Sequence, residues 1–360
     1  MRFRSTAPLR LRGGVFSKLK LEALEARTLL SAGFWDGFAS NPQHTAISTV
    51  ASQPLETIRW QAPIDLAPFE TAHYGTPMAT AADTIIFPVR TSSSDTFRVE
   101  ARSGIDGSLL WSQDSGFVMP PHAWLPEFPA TLTPSGRLYF ADANGVVDYR
   151  DNPDAPSGPT GSIQFYAGAP DSTVCIDTPI TSDSHGNIYF GFRLNGTSPT
   201  FGFSDGLARI DASGHGSYVL ARTASGDLLG IFVSENCAPA LSHDESTVYF
   251  AVGAFTHGYL VGVDATTLTP RYSVLLHDPR NGNANTAGVV DNSTASPTIG
   301  PDGTVFFGVL GNPFNGSRGW LLHFSADLAT EYAPGAFGWD DTAAIVPTRW
   351  CPLIPARRAT

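Results

Sequence analysis

From residue 33 onward the chain contains no lysine. The two that exist, Lys18 and Lys20, lie in a basic opening segment. Residues 1–32 carry seven Lys/Arg against Glu22 and Glu25, a net of +5 that leaves −16 for the remainder of a chain whose total is −11. An acidic body argues against nucleic-acid binding, which needs cations to neutralise phosphates. It argues equally against docking on anionic lipid. There is no apolar run of about 18 residues, so no segment reads as a membrane-spanning helix. Cysteine is scarce: Cys175, Cys237 and Cys351 show no CxxC spacing, which excludes the usual zinc frameworks. Cys175 and Cys237 stand just ahead of equivalent repeat positions. In an exported chain they could bridge neighbouring repeats; otherwise they are semi-buried free thiols. The motifs HExxH and GxxxxGK[ST] are missing, which removes the common zincin and P-loop readings.

What the chain does have is turns and aromatics. Its 360 residues are 42% hydrophobic, with Gly 35, Pro 28, Phe 23, Tyr 10 and Trp 7. Such a composition favours many short strands joined by tight turns. Five blocks repeat: TPMATAADTIIFPV, FPATLTPSGRLYFA, TPITSDSHGNIYFG, APALSHDESTVYFA and SPTIGPDGTVFFG. Their prolines, Pro77, Pro129, Pro179, Pro239 and Pro297, are 52, 50, 60 and 58 residues apart. Each block reads as a short strand after the proline, a turn, and a second strand ending in apolar or aromatic pairs such as Tyr139-Phe140 or Tyr249-Phe250. A second hairpin follows in most repeats, as in FRVEARSGIDGSLLW with its turn at Asp106-Gly107. Asp211, Asp264 and Ser325 mark turn starts, where side-chain oxygens can accept from backbone amides. Trp60 and Trp111 are expected in packing between blades. Exposed positions are expected for His185, His215 and His243. Four antiparallel strands per repeat, five times over, predict an all-β β-propeller, because a lone blade cannot bury both of its faces.

Residues 1–32 differ from the rest and lack a continuous apolar core of a secretory signal. The stretch LEARTLLSA (24–32) resembles the LEPR-XLL motif of planctomycete surface and exported proteins. Leu24, Glu25, Arg27, Leu29, Leu30 and Ser31 carry the match, and Ala26 departs from it where the motif has proline. The resemblance implies export to the cell surface, periplasm or exterior, with 1–32 a sorting segment outside the fold.

The second hairpins, best seen from Val99 to Trp111, resemble the PQQ-like (quinoprotein-like) propeller blade, and so does FWDGFASNPQHTAIS (34–48). The resemblance runs from about residue 34 to 341. It implies a lead-in at 33–54 and a propeller over 55–350, with blades near 76–127, 128–177, 178–237, 238–295 and 296–341. Residues 56–65 and 342–350 are expected to form part of a closing blade. The tail 351–360, CPLIPARRAT, lacks blade grammar and is expected to mark a truncation or an open ring. An open edge would accept strands from a partner.

Loops entering the inner strands of a propeller converge on one face. Here they bring His73, Tyr74, His122, Trp124, Asp177, Glu235, Asn236, Asp291, Asn292, Asp340 and Asp341. Such a set could bind a protein, glycan or small molecule. Its carboxylates and amides could hold Ca²⁺ or act as acid and base, although polar loop residues are ordinarily just solvated, which is the stronger reading. PQQ is not expected as cofactor: the dehydrogenases of that class place adjacent cysteines over the quinone, and this chain has no Cys-Cys pair. The expected function is an exported, non-enzymatic binding or scaffold module. The alternatives are a metal-dependent hydrolase or lyase, or a PQQ-dependent dehydrogenase.

Overall fold

The computed structural model describes residues 34–48, 50, 56–67, 75–92, 94, 96–119, 127–280, 282, 285–287, 289, 295–312, 318–336 and 342–346. The five repeats form five antiparallel sheets. Blade I is β1 (Met78–Ala79), β2 (Thr84–Arg90), β3 (Phe97–Ser103) and β4 (Leu109–Ser115). Blade II is β5 (Ala130–Leu132), β6 (Leu138–Ala141), β7 (Val146–Arg150) and β8 (Thr160–Gln164). In blade III, β9 (Val174–Ile176) and β10 (Thr181–Ser182) both pair with β11 (Ile188–Leu194), followed by β12 (Gly206–Ile210) and β13 (Gly216–Leu220). One five-residue helix, α1 (Ala221–Ser225), leads on to blade IV. There β14 (Phe232–Val233) and β15 (Ala240–Leu241) flank β16 (Thr247–Gly253), with β17 (Gly258–Asp264) and β18 (Pro270–Leu275) outside. A small hairpin of β19 (His277–Asp278) and β20 (Asn285–Thr286) precedes blade V, which is β21 (Thr298–Ile299), β22 (Val305–Leu310) and β23 (Gly319–Phe324). The fourth position of blade V is irregular, held by bridges Phe324↔Glu331 and Leu321↔Gly335.

The repeat grammar explains this layout. Each proline opens an inner strand, and the turn after it throws the chain into the long second strand. That strand is buried on both faces, as at Leu138, Tyr139 and Phe140 or Val248, Tyr249 and Phe250. Full burial of one such aromatic is worth about 2–3 kcal/mol. The cores lie between blades. Phe165 from the end of blade II packs on Phe192 of blade III at 4.9 Å, and Phe192 on Phe201 at 4.8 Å. Polar tips of buried rings tie each blade to the next. Trp111 Nε1 donates to Pro153 O (2.6 Å), Tyr189 Oη to Ala265 O (3.0 Å) and Tyr249 Oη to Ala326 O (2.6 Å). Trp60 serves inside blade I instead. Its Nε1 donates to Gly104 O at 3.0 Å and its ring covers Gly107 of the β3–β4 turn. The turn starts behave as side-chain caps: Asp211 Oδ1 accepts from the amides of Ser213 and His215, and Asp264 Oδ1 from those of Thr266 and Thr267.

Residues 34–46 make no blade of their own. They form a strap across the ring that touches the inner strand of every blade. Trp35 exchanges both backbone bonds with Ala79 of blade I (2.9 and 3.0 Å). Asp36 O accepts from Leu132 N of blade II at 2.7 Å, Pro42 O from Leu241 N of blade IV at 2.7 Å, and Gln43 O from Ile299 N of blade V at 2.9 Å. His44 Nε2 lies 3.4 Å from Thr181 Oγ1 of blade III and Nδ1 2.7 Å from Pro297 O of blade V. Near the end of the described chain, Ile345 N donates to Thr45 O at 3.2 Å, and Ala343 O accepts from Thr298 Oγ1 at 3.2 Å. Residues 342–346 therefore run beside the inner strand of blade V and are stitched to the strap. In blade I, Ile64 and Leu66 exchange backbone bonds with Arg90 of β2, both 2.9 Å.

Candidate functional site

Three of the loop residues singled out above meet. Asp177 precedes the inner strand of blade III, and Glu235 and Asn236 precede that of blade IV; all three are buried. Asn236 N donates to Asp177 O at 3.0 Å, joining the two loops. Asn236 holds a left-handed backbone (φ 62), a conformation asparagine tolerates better than most residues. Its side chain then reaches blade II, where Oδ1 accepts from Glu127 N at 2.6 Å. Glu127 continues the chain of contacts to blade I: its Oε1 accepts from Thr76 N (2.8 Å) and Thr76 Oγ1 (2.9 Å). The entry loops of four blades are thus linked through one polar layer.

The second strands feed this layer from below. Arg193 of β11, opposite Cys175 in the β9 register, places Nη1 3.7 Å from Glu235 Oε2. Asp205 is buried where blades III and IV meet. It accepts from Leu194 N (2.9 Å) and Val233 N (3.2 Å). Gly191 lets the two blades approach: a Cβ there would lie 2.5 Å from Thr178 Cγ2 and 2.6 Å from Val233 Cγ1. Burial lifts the Glu127 carboxyl to about 7, against the opposing effect of the two Thr76 bonds. Burial, with help from Asp177 and Asp205 and against Arg193, lifts the Cys175 thiol to about 11. Cys237 is pushed up to about 12 by burial. Neither cysteine is bridged; both are buried thiols.

The strap is the floor of this site. Asp177 and Glu127 lie two residues before their prolines, whereas the strap contacts Thr181, Leu241 and Ile299, two residues after theirs. Along β11, Asp177 bonds Gly191 while Thr181 pairs with Tyr189, so the polar layer stands about two residues, roughly 7 Å, nearer the loop face. Both ionisable groups of the strap are neutral at pH 7: burial lifts Asp36 to about 8 and lowers His44 to about 4. An uncharged strap can lie among five inner strands without an ion's desolvation cost. The result is a buried layer of carboxylates and an amide with the strap's backbone on one side of it.

His73, Tyr74, His122, Trp124, Asp291, Asn292, Asp340 and Asp341 lie outside the described residues, as does the 24–32 motif. Glu127, Arg193 and Asp205 were not anticipated. For Glu127 a signal existed: it stands two residues before Pro129, as Asp177 does before Pro179. Arg193 and Asp205 sit on or beside second and third strands, where no repeat position marks them.

No protein-family model matches the chain, and no curated protein matches it. Among solved structures it is similar to the quinohemoprotein alcohol dehydrogenase of Comamonas testosteroni, with a TM-score of 0.54 and 12% identity over 86% of this chain and 50% of that one. The fold is a PQQ-like β-propeller. A europium-containing methanol dehydrogenase matches at TM-score 0.48 and 9% identity, over 88% of this chain and 81% of that one. BamB from Moraxella catarrhalis matches at TM-score 0.42 and 12% identity, over 72% and 63%. The chain thus spans half the length of the Comamonas enzyme and under two thirds of BamB.

Proposed function

We propose that the chain is an exported β-propeller that binds a protein or glycan on its loop face and turns over no substrate. The observation that carries this reading is the strap. Residues 34–46 bond to the inner strands of all five blades, so a segment of the protein's own chain crosses those strands and ties them into one unit. The carboxylates described there are engaged in holding blades together: Glu127 fixes Thr76, and Asp205 caps the amides of Leu194 and Val233. That is the arrangement of a rigid platform.

The catalytic alternative has one observation in its favour. Glu127 titrates near 7, which suits a group exchanging protons at neutral pH. The chain would be assayed for PQQ- and Ca²⁺-dependent dye reduction with alcohols and sugars, and for ester and glycoside hydrolysis with Ca²⁺. No turnover is expected. Turnover that disappears in Glu127→Gln would overturn the non-catalytic reading. Export is tested separately by fractionating cells that carry a tagged chain with and without residues 1–32. Retention of the full chain in the cytosol would end that part of the proposal.

A further inference from the structure

The opposite ends of the inner strands carry a second cluster, away from the polar layer. There the turn after β10 in blade III meets the turn after β15 in blade IV. Ser184 N bonds the Glu245 carboxylate at 3.0 and 3.1 Å, and Ser184 Oγ reaches Glu245 Oε2 at 2.5 Å. His185 Nδ1 lies 3.3 Å from the same Oε2. Asp183, His185 and Glu245 each offer one ligand-type atom, and these atoms all lie within 4.8 Å of one another. Two ligand atoms on a tetrahedral zinc with bonds of about 2.05 Å sit roughly 3.3 Å apart. The His185–Glu245 spacing already has that value.

We infer that Asp183, His185 and Glu245 form a site for Zn²⁺ or a similar divalent transition ion that clamps blade III to blade IV. The donor set selects the metal class. One imidazole with two carboxylates suits zinc and its neighbours, whereas Ca²⁺ takes oxygen ligands. The outer shell is in place. Asp183 Oδ1 accepts from the amides of His185 (2.9 Å) and Asn187 (2.8 Å), and Oδ2 from Asn187 Nδ2 (2.6 Å) and Tyr189 Oη (3.2 Å). Such partners orient ligating carboxylates. Arg209 bonds Asn187 Oδ1 at 3.0 Å and so stands one shell back. Asp183 is buried, whereas the His185 side chain is 76% exposed. The cluster is therefore open on one side, where water can complete four-coordination. The equivalent turns of blades II and V read Pro134-Ser135-Gly136 and Pro301-Asp302-Gly303, and neither carries this trio.

The test is calorimetric titration of the chelator-treated full chain with ZnCl₂ at pH 7.5, together with melting curves with and without the ion. One equivalent is expected to bind. Its affinity should fall at least about tenfold in His185→Ala and in Glu245→Gln, and stay unchanged in His215→Ala. His215 is an exposed control, 3.7 Å from Asp211 on an outer turn. Zn²⁺ should raise the melting temperature of the parent chain and of His215→Ala, but not of His185→Ala. His185 is exposed, so its removal should leave the fold intact, which circular dichroism checks. Absence of a saturable equivalent overturns the inference. So does zinc binding that survives both His185→Ala and Glu245→Gln, because the ion would then sit elsewhere.

Discussion

The strap should respond to acid through His44. This ring is fully buried, with Nδ1 2.7 Å from Pro297 O. A carbonyl only accepts, so Nδ1 carries the proton and Nε2 is left to accept from Thr181 Oγ1. Phe38 packs edge-on at 5.0 Å. Burial favours the neutral imidazole, against the Pro297 carbonyl, which favours the charged one, and the folded pKa falls from 6.5 to about 4. A group lowered this way contributes its full stability above pH 6.5 and loses it as pH falls towards 4. Between pH 7.5 and 4.5, about two pH units lie inside that window, which amounts to about 3 kcal/mol at 1.36 per unit. Asp36 works in the opposite direction. Its pKa rises from 3.8 to about 8, so its stabilising effect is complete below 3.8 and is lost as pH climbs to 8. Over the same range acid should favour folding through Asp36 by about 4 kcal/mol. The parent chain alone therefore shows a muted profile, and variants separate the two effects. Urea unfolding at both pH values would compare the parent with His44→Gln, which keeps an amide donor for Pro297 O but cannot ionise. The stability advantage of the parent should shrink by about 3 kcal/mol at pH 4.5. With Asp36→Asn, the parent's standing should instead improve on acidification. An unchanged parent-to-His44→Gln difference at the two pH values would refute the reasoning, since Asp36 is common to both chains.

Gly107→Ala should loosen the segment around Trp60. Gly107 has φ +74, and a Cβ there would meet the indole at 2.7–2.9 Å. A cost of about 2 kcal/mol is expected, with red-shifted tryptophan emission; an unshifted spectrum and unchanged stability would contradict the packing described. Tyr249→Phe removes the 2.6 Å bond from blade IV to Ala326 O and should cost about 1 kcal/mol, read from the denaturation midpoint. In a Cys351→Ser background, Cys175 and Cys237, pushed up to about 11 and 12, should resist a thiol reagent at pH 8 and react once unfolded. Modification of the native chain at a rate matching an exposed thiol would show that these cysteines are accessible.

The blades were legible because their information is local and repeated. Proline, turn and paired aromatics recur within each block, and Tyr139-Phe140, Tyr189-Phe190, Tyr249-Phe250 and Phe306-Phe307 all fall on second strands. The convergence of Asp177 with Glu235 and Asn236 was readable for the same reason, since repeat alignment puts them in equivalent loops. The strap was not readable, and its chemistry shows why. It has no strand period, and four of its non-glycine residues, Ala39, Ser40, His44 and Ala46, hold positive φ. Local preference works against such a backbone, since each position is disfavoured for an L-residue. It is stabilised from outside, by bonds to five strands whose partners lie tens to hundreds of residues away, as from His44 to Pro297. Those partners are backbone groups and the hydroxyls of Thr131 and Thr181, and a sequence does not display backbone groups. The same segment read alone suggests the start of a blade, because Phe34, Trp35 and Phe38 supply aromatic character. In the fold Phe34 stays exposed and Phe38 packs on His44 of the strap itself, and the decision between strand and strap rests with the five inner strands. The polar layer therefore comes from a pattern within the repeats and the strap beside it from a segment outside them. Substitutions within 34–46 should affect all five blades together, whereas a turn substitution such as Gly107→Ala acts on one.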